Sequence, residues 1–377
     1  MFSKPSVLSG ALLVAGTSIG AGMLALPVVT ALGGFFPSLL VYFLCWLFMT
    51  CTGLILLDIC LLMPPGANLV SMAHKYLGRF GEVFAWVLYL FLFYCLSVAY
   101  VCGGGSLLCS WLGLPSWAGG VLFAGLLAPV VYMGARMVDR VNRVLMIGLV
   151  GAYILFVGLG AAYVQPERLL SGSWGPALLA LPVIFTSFSY QGVIPSLAEY
   201  MQRDRKKLRA AIVLGTTMSF VIYVVWELLI LGIVPVEGDL GLERARQLGR
   251  TAVHPLGSHV THGAIPLLGQ LFAFFAITTS YLGVTLGLFD FLADGLKRAK
   301  RAWLGSLTFL PPLAIALVYP GIFISALIYA GGIGCALLLG LLPAAMAWAG
   351  KLRSRPFLLL LLVFAAIEVI TEFLLLR

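Results

Sequence analysis

Runs of apolar residues long enough to cross a bilayer follow one another along almost all of the 377 residues. A spanning helix needs about 20 mostly apolar residues. A chain that is 62% hydrophobic and only 10% charged has more apolar surface than the core of a water-soluble protein can bury. The runs predict one all-α membrane domain over residues 1–377 with about eleven spans, near 7–31, 37–62, 82–110, 117–134, 143–164, 175–200, 209–234, 264–293, 303–319, 321–349 and 356–376.

The basic residues test this arrangement, because Lys and Arg collect in cytoplasmic loops. With the N-terminus in the cytoplasm, most of the 23 fall on that side, whereas the opposite side holds Arg168, Arg244, Arg246, Arg250 and Arg377. We therefore expect a multi-pass protein whose C-terminus lies on the opposite side. The basic cytoplasmic loops of a protein in a lipid bilayer then explain most of the net charge of +9, and no nucleic-acid partner is expected.

Several other features indicate no cofactor, no metal and no removable leader. The first run lacks a convincing cleavage site, so it is interpreted as the first permanent span. The seven cysteines show no CxxC spacing. The long outer loop at 235–263 holds His254, His259 and His262, but their spacing matches no standard ligand pattern. A solvated loop is expected there, with a partly helical lid as the alternative. No feature predicts an oligomeric state.

The first run contains an unusual glycine cluster, from Gly16 to Gly22, followed by Pro27. Each glycine weakens a helix by roughly 1 kcal/mol relative to alanine, and unwound backbone at membrane depth must line a cavity or be buried in protein. A break would create a half-helix N-terminus suited to a carboxylate. Gly16 and Gly20 also form GxxxG, so close helix packing is the alternative.

The sixth run repeats this pattern in residues 185–192, FTSFSYQG, which precede Pro195. Its Thr-Ser pair, polar stretch, glycine and proline follow the order found in the first run, five spans earlier. Interrupted helices at corresponding positions of two halves indicate the binding site of a transporter near the middle of the bilayer. The sequence therefore favours the transporter interpretation over simple helix packing.

An intramembrane hydrolase is a remote alternative, because Ser18 completes GxSxG. That motif expects a strand-turn-helix setting and a histidine base. All four histidines, including His74, fall in predicted loops, so no enzyme is expected. A channel or scaffold is a further rival class, which differs from a symporter because it accumulates no substrate.

Candidates for ion coupling lie in two other runs. Thr278, Thr279 and Ser280 offer hydroxyls at membrane depth, although such hydroxyls often bond back to their own helix. An ionisable residue within a span is a functional candidate by default, and Asp58, Glu227 and Glu368 qualify. Glu227 lies deep enough in its run to be considered as a proton carrier.

Three long strings are similar to the hydroxy and aromatic amino acid permeases of the amino acid, polyamine and organocation superfamily, especially the tyrosine-specific branch. They are residues 16–27, GTSIGAGMLALP; 282–294, LGVTLGLFDFLAD; and 307–313, LTFLPPL. The resemblance implies a leucine-transporter-like 5+5 inverted repeat, with repeat one about 7–164, repeat two about 175–349 and an extra helix about 356–376. It also implies proton-driven import of an aromatic amino acid, most simply tyrosine, across a bacterial-type inner membrane.

The resemblance also assigns a substrate site, position by position. The N–H groups that would bind the substrate carboxylate belong to Gly20, Ala21 and Gly22. The carbonyls that would receive its ammonium lie near Ser18, Phe185 and Ser187. The aromatic walls would be Phe188 and Tyr190, with Tyr94 or Tyr100 opposite. Span five has no lysine to replace a sodium ion, so proton and sodium coupling both remain open, as does another neutral amino acid as substrate.

Overall fold

The structure, a computed structural model, describes residues 6–260, 263–296 and 299–375. Within these ranges the chain is helical, and the only strand-like pairing is one isolated bridge between Gly34 and Gly172. The helices are α1 Val7–Ser18, α2 Ala21–Thr30, α3 Phe35–Leu61, α4 Leu69–Leu112, α5 Ser116–Tyr132, α6 Ala135–Gly160, α7 Pro166–Leu169, α8 Trp174–Leu179, α9 Leu181–Ser187, α10 Ile194–Tyr200, α11 Arg205–Ile233, α12 Leu242–Gln247, α13 Leu256–His259, α14 Ala264–Gly295, α15 Arg301–Val318, α16 Phe323–Tyr329, α17 Leu342–Ala349 and α18 Arg355–Leu375. Short 3₁₀ turns occupy Ala161–Tyr163 and Gln191–Val193, and a π-helix, Ala330–Leu341, joins α16 to α17.

Local sequence explains where several helices begin. The Ser6 hydroxyl accepts the Ser9 N–H at 3.1 Å to start α1, and the Asn68 side chain accepts the Ser71 N–H at 2.9 Å to start α4. Asp204 accepts the N–H of Lys207 at 3.1 Å to start α11. These residue types are preferred N-caps because their oxygens satisfy donors that the first helical turn leaves free. The helix starts therefore follow from the sequence.

Seven of the described helices are long and apolar enough to span a bilayer, and α1 with α2 adds one span bent by 56°. The remaining expected spans are the 17-residue α5, the interrupted stretch α8–α10 and the 21-residue α18. Large apolar side chains such as Val144, Ile147 and Ile154 of α6 are exposed, as lipid-facing residues are. The count of eleven spans stays a prediction.

Two helix boundaries differ from the expected ones because polar residues near the membrane surface are also helical. The third span was expected from 82, but α4 begins at Leu69 and bends at Gly78, whose φ is +69°. The statement that His74 lies in a loop is therefore wrong: it lies in α4, with Nδ1 2.7 Å from the Glu82 carboxylate. Likewise α6 begins at Ala135 rather than 143.

The segment 235–263 is more ordered than the expected solvated loop. It contains α12 and α13, and Thr251, Ala252 and Val253 are buried. The Ala252 N–H donates to the Leu24 carbonyl at 3.0 Å, which ties this segment to α2. The partly helical alternative therefore describes this segment and the solvated loop does not, because composition records polar residues but not the apolar positions between them that pack inward. His262 lies outside the described residues.

The broken helices lie at the centre of the bundle. α1 packs along α11, α2 packs against α9, and the π-helix packs against both α9 and α18. α14 packs along α6 and also contacts α2. The two breaks are therefore surrounded by elements from other parts of the chain, which include the long helices α11 and α14 and shorter elements such as α12 and the π-helix.

One end of the bundle carries a cluster of charges. The Asp58 carboxylate at the end of α3 accepts from Arg205 at 2.9 Å and from Arg209 at 3.2 Å, and it also pairs with Arg353. Asp58 was a functional candidate from sequence because it lies in or near a span. Its ion pairs with three arginines at this charged end explain its presence there by structure instead. The end of α3, the start of α11 and the start of α18 thus lie at the same end of the bundle.

Candidate functional site

The first helix breaks over two residues, Ile19 and Gly20. Ile19 is extended, with φ −72° and ψ 105°, and Gly20 has φ −158° and ψ −153°. Gly16 and Ser18 remain helical, so the break is narrower than the glycine cluster. The first turn of α2, which includes Ala21 and Gly22, presents N–H groups that have no carbonyl partner within the helix. This end of α2 has the polarity that binds an anion.

The second break is longer. α9 ends at Ser187, regular helix is lost from Phe188 to Tyr190, and a 3₁₀ turn precedes α10. The Ser189 hydroxyl donates to the Thr186 carbonyl at 2.7 Å, and Thr186 donates to the Leu327 carbonyl at 2.8 Å. Both interruptions that the sequence predicted are therefore present, with different lengths.

The two breaks contact each other. A Cβ added to Gly22 would lie 2.5 Å from Ser187 Oγ and 2.9 Å from Ser187 Cα. Real Cβ atoms essentially never approach backbone so closely, so only glycine fits at position 22 in this arrangement. The contact places the N-terminus of α2 beside the C-terminus of α9, where a positive and a negative helix end meet.

Tyr223 of α11 joins the two breaks, and sequence reasoning missed it. Its hydroxyl lies 2.7 Å from the Ser18 carbonyl and 2.7 Å from the Ser187 carbonyl. Since a tyrosine carries one hydroxyl hydrogen, it donates fully to one of these carbonyls at a time. A signal was available: Tyr223 precedes Glu227 by four residues, which places both on one face of α11.

Ser280 of α14 contacts the first break from a third helix, in addition to α9 and α11. Its hydroxyl donates to the Ile19 carbonyl at 3.3 Å, and a Cβ on Gly20 would lie 2.5 Å from Ser280 Oγ and 3.6 Å from the Tyr100 hydroxyl. Thr278 and Thr279 instead donate to carbonyls of their own helix, at 2.6 and 2.9 Å. Of the three hydroxyls proposed from sequence, Ser280 is the one that contacts the broken helix.

Of the predicted aromatic residues, Phe188 and Tyr100 lie at the breaks, whereas the side chains of Tyr190, Tyr94 and Phe185 contact other helices. Phe188 is only 2% exposed, and its ring centroid lies 5.0 Å from that of Tyr223. Tyr190 donates to the Met49 carbonyl of α3 at 3.2 Å, and Tyr94 donates to the Leu307 carbonyl of α15 at 2.9 Å.

The ring of Phe185 stacks on Phe364 of α18, with centroids 5.9 Å apart. The structure thus gathers around the breaks Ser18, Gly20, Ala21, Gly22, Ser187, Phe188, Tyr100 and Ser280, and it directs the side chains of Phe185, Tyr190 and Tyr94 elsewhere.

Glu227 lies next to this group and is only 1% exposed. Its carboxyl group accepts from the Tyr42 hydroxyl of α3 at 2.8 Å and is also hydrogen-bonded to Thr30 of α2. No sequence pattern linked Glu227 to the breaks, whereas the structure connects it to the second half of the first broken helix. Buried carboxyl groups are tolerated when hydroxyls or other donors satisfy their oxygens.

Ser18 has no arrangement suited to nucleophilic chemistry. Its hydroxyl donates to the Val14 carbonyl at 3.3 Å within α1. Of the described histidines, His74 lies near the start of α4, and His254 and His259 lie in the segment before α14. Burial and the neighbouring Arg250 lower the pKa of His254 to about 4. None of these histidines is bonded to Ser18.

The comparison with known families decides the class of this chain. A model described as the tryptophan/tyrosine permease family matches residues 3–365. The chain belongs to the tryptophan/tyrosine permease family. This confirms the family inferred from the three strings, and because the family consists of transport proteins, the hydrolase alternative is wrong.

The permease is similar to relatives named for two different amino acids. It is 35% identical to the "Tyrosine-specific transport system 1" of Haemophilus influenzae, over 85% of this chain and 82% of that protein. It is 33% identical to a "Tryptophan-specific transport protein" of Pseudomonas aeruginosa, over 93% of this chain and 88% of that protein. Sequence identity alone therefore does not separate tyrosine from tryptophan.

The permease also resembles a solved transporter structure, that of MhsT in complex with L-phenylalanine. The TM-score is 0.71 at 17% identity, and the match covers 97% of this chain and 98% of that one. The expected all-α, leucine-transporter-like fold is confirmed. The division into repeats at 7–164 and 175–349 stays a prediction.

Proposed function

We propose that the permease imports an aromatic amino acid, tyrosine in the first instance, by symport through alternating access. The observation that carries this proposal is the junction of the two breaks, where Gly22 meets Ser187 and one Tyr223 hydroxyl bridges both helices. The relatives specific for tyrosine and tryptophan support the substrate class. The phenylalanine complex of MhsT supports it further.

The junction offers complementary groups to both charged ends of an amino acid. The N-terminus of α2 at Gly20, Ala21 and Gly22 suits the carboxylate, since free N–H groups and the helix dipole favour an anion there. The carbonyls of Ser18 and Ser187 suit the ammonium. In this structure they accept from Tyr223, so a bound substrate would compete with that hydroxyl or share it.

The side chain of the substrate would lie against Phe188 and Tyr100. Phe188 already packs edge-on against Tyr223 and near Tyr42, with ring centroids 5.0 and 6.4 Å apart. Aromatic rings prefer such edge-to-face contacts. These rings would favour an aromatic side chain over a short aliphatic one.

Glu227 is the residue that we assign to proton coupling. The Thr30 hydroxyl is within hydrogen-bonding distance of the Glu227 carboxyl group and lies 2.6 Å from the Leu26 carbonyl. It carries one hydrogen. If Thr30 donates to Leu26, Glu227 must supply the other hydrogen and is protonated; if Thr30 donates to Glu227, this contact requires no proton on Glu227. A proton on Glu227 therefore changes a hydrogen bond in the last turns of α2.

Sodium is the alternative coupling ion, and one contact favours it. Ser280 reaches the Ile19 carbonyl at the first break, and Thr278 and Thr279 precede it on α14 and supply further hydroxyl oxygens. Because hydroxyls and carbonyls are oxygen ligands for hard cations, this side of the junction is where such an ion would bind.

The proposed orientation has the N-terminus in the cytoplasm of a bacterial cell, with the protein in the inner membrane. The arginines that pair with Asp58 share one end of the bundle, and basic loops favour the cytoplasmic side. This orientation would be tested by introducing cysteines at either end of the helix bundle and labelling them from outside in intact cells.

Transport itself is tested with purified permease in proteoliposomes. We expect uptake of labelled L-tyrosine to be driven by an inward pH gradient, abolished by an uncoupler and inhibited by L-tryptophan or L-phenylalanine. Uptake that follows a sodium gradient alone would replace the proton with sodium. Absence of aromatic amino acid uptake under every gradient would reject the proposed function.

A further inference from the structure

Two carboxyl side chains of α18 are buried without partners. Glu368 is 0% exposed and Glu372 is 1% exposed, and they lie four residues apart, on one face of the helix. All four of their oxygens are buried and have no hydrogen-bond partner in the described ranges. Glu227 differs from this pair, because the hydroxyls of Thr30 and Tyr42 are hydrogen-bonded to its carboxyl group. An ionised group left unpaired at membrane depth is expensive, so these side chains need an explanation.

The neighbours of α18 provide no positive charge. The π-helix, α17, α9, α8 and α3 pack against it, and none of these described elements contains Lys, Arg or His. The titratable groups within electrostatic range are three thiols, Cys335 of the π-helix, Cys45 of α3 and Cys95 of α4. The two carboxyl groups therefore face each other and neutral thiols.

The glycines of the π-helix shape the space that the acid pair occupies. The Glu372 carboxyl group lies where a Cβ of Gly332 would be. On its other side the same π-helix contacts α9, because a Cβ on Gly331 would meet the Pro182 carbonyl and lie 2.7 Å from Thr186 Oγ1. π-Helical segments occur frequently at functional sites. One irregular segment therefore contacts both the acid pair and α9, the helix that ends at the substrate junction.

We propose that Glu368 and Glu372 form a proton-binding site on α18, separate from Glu227, whose occupancy is coupled to transport through the π-helix. Two negative charges one helical turn apart repel each other strongly where little water is present. The pair therefore holds at least one proton. A metal ion is less suited, because the described residues include no group of three or more His, Cys, Asp or Glu that could bind one.

The position of the pair suggests how a proton would reach it. At a rise of about 1.5 Å per residue, Glu368 lies about 20 Å and Glu372 about 26 Å along the helix from Arg355. Glu372 is thus nearer the end opposite the arginine-rich loops. A proton from water on that side would bind a Glu372 carboxylate oxygen and pass to Glu368, and release would return it to water with no other bond made or broken.

This inference rests on the proposed function for its coupling but not for proton binding, so the test has two parts. The first is infrared difference spectroscopy of the full-length permease in lipid between high and low pH. We expect Glu368→Gln and Glu372→Gln each to remove part of the protonated-carboxyl signal. The matched control is Thr371→Val, since Thr371 donates only to Ile367 of its own helix, at 2.9 Å; this variant should keep the whole signal.

The second part compares exchange with accumulation. Exchange of labelled tyrosine across proteoliposomes needs no net proton movement, so the glutamine variants should exchange nearly as the wild type does. Accumulation driven by a pH gradient should fall by about tenfold, which lies within the roughly 5- to 150-fold range of typical coupling between two sites. Glu227→Gln, compared in parallel, should leave the α18 infrared signal intact.

Several outcomes separate the two proposals. Glutamine variants with a full carboxyl signal and normal accumulation would overturn the proton site. A wild type that exchanges no aromatic amino acid would reject the proposed function, while the infrared result would still decide whether the pair binds protons. If Glu368→Gln does not fold, Glu372→Gln alone carries the test, because its carboxyl group lies over a glycine and the amide occupies the same space.

Discussion

The two broken helices differ in what holds each break in place. The carbonyls of the first break accept from hydroxyls on distant helices, Tyr223 of α11 and Ser280 of α14. The second break shares the Tyr223 hydroxyl through the Ser187 carbonyl, but it is also tied to α3, because the Gln191 amide donates to the Met49 carbonyl and the Thr52 hydroxyl, both at 3.2 Å. A break held by single hydroxyls from other helices is easier to release. The first helix is therefore expected to move, and the second to provide a fixed wall.

The largest effect is expected where the breaks touch. Gly22→Val places branched carbons against Ser187, where one added Cβ is already 2.9 Å from backbone. We expect uptake to fall by about 100-fold or more, since displacement of a site by about 1 Å has effects of that size. Labelled tyrosine uptake measures the change.

The control for Gly22 is Gly283→Ala. Gly283 lies in α14, and apart from its chain neighbours and the backbone of its own helix no described atom is within 4 Å of an added Cβ. This variant should insert and transport normally. Near-normal uptake by Gly22→Val, with normal insertion, would contradict the contact between the breaks.

The next effect concerns the bridge between the helices. Tyr223→Phe keeps the ring against Phe188 but leaves the Ser18 and Ser187 carbonyls without their shared donor. A lost buried hydrogen bond costs about 1–3 kcal/mol, so we expect a lower melting temperature and roughly tenfold weaker transport. Tyr153→Phe is the control, because it removes a hydroxyl that donates to a single carbonyl, Ile222, at 2.9 Å. Equal effects of both variants on transport would show that the bridge has no special role.

The anchored break should respond differently. Gln191→Leu removes the amide that ties the second break to α3, and we expect a loss of about 1–3 kcal/mol in the free energy of unfolding. Tyrosine affinity of the folded fraction should change little, because this amide points to α3. A large loss of affinity without a loss of stability would reverse the proposed roles of the two breaks.

The smallest effect should come from Ser280→Ala. Its hydrogen bond to the Ile19 carbonyl is 3.3 Å long. We expect its removal to lower the free energy of unfolding by about 0.5–1.5 kcal/mol. Thr278→Val, which removes a hydroxyl bonded within α14, is the control. If sodium is the coupling ion, Ser280→Ala should instead weaken the sodium dependence of uptake far more than the control does.

The sequence predicted the two breaks but not how they meet. Glycines, prolines and hydroxyls interrupt an apolar run visibly, so Gly20 and Ser187 were found. Which of Tyr94 and Tyr100 faces the junction depends on the rotation of α4, and six residues of spacing do not settle that. Tyr223 was missed because a single tyrosine in an apolar helix resembles any packed aromatic residue, and its position four residues before Glu227 is a weak signal.

The same limit explains the other differences. His74 and the segment 235–263 contain polar residues, and polarity alone does not separate a loop from a short surface helix. Of the two buried carboxyl groups of α18, Glu368 was marked from sequence as an ionisable residue in a span, whereas Glu372 was missed. Their lack of partners among the described residues depends on packing against the π-helix. Contacts across long sequence distances are fixed by the fold, and local pattern does not contain them.

Equilibrium binding of labelled L-tyrosine to purified wild type, Gly22→Val and Gly283→Ala tests the central claim most directly. The claim requires saturable binding to the wild type that L-tryptophan and L-phenylalanine displace, equal binding to Gly283→Ala, and no measurable binding to Gly22→Val. Unchanged affinity in Gly22→Val would contradict a substrate site at the junction of the two broken helices.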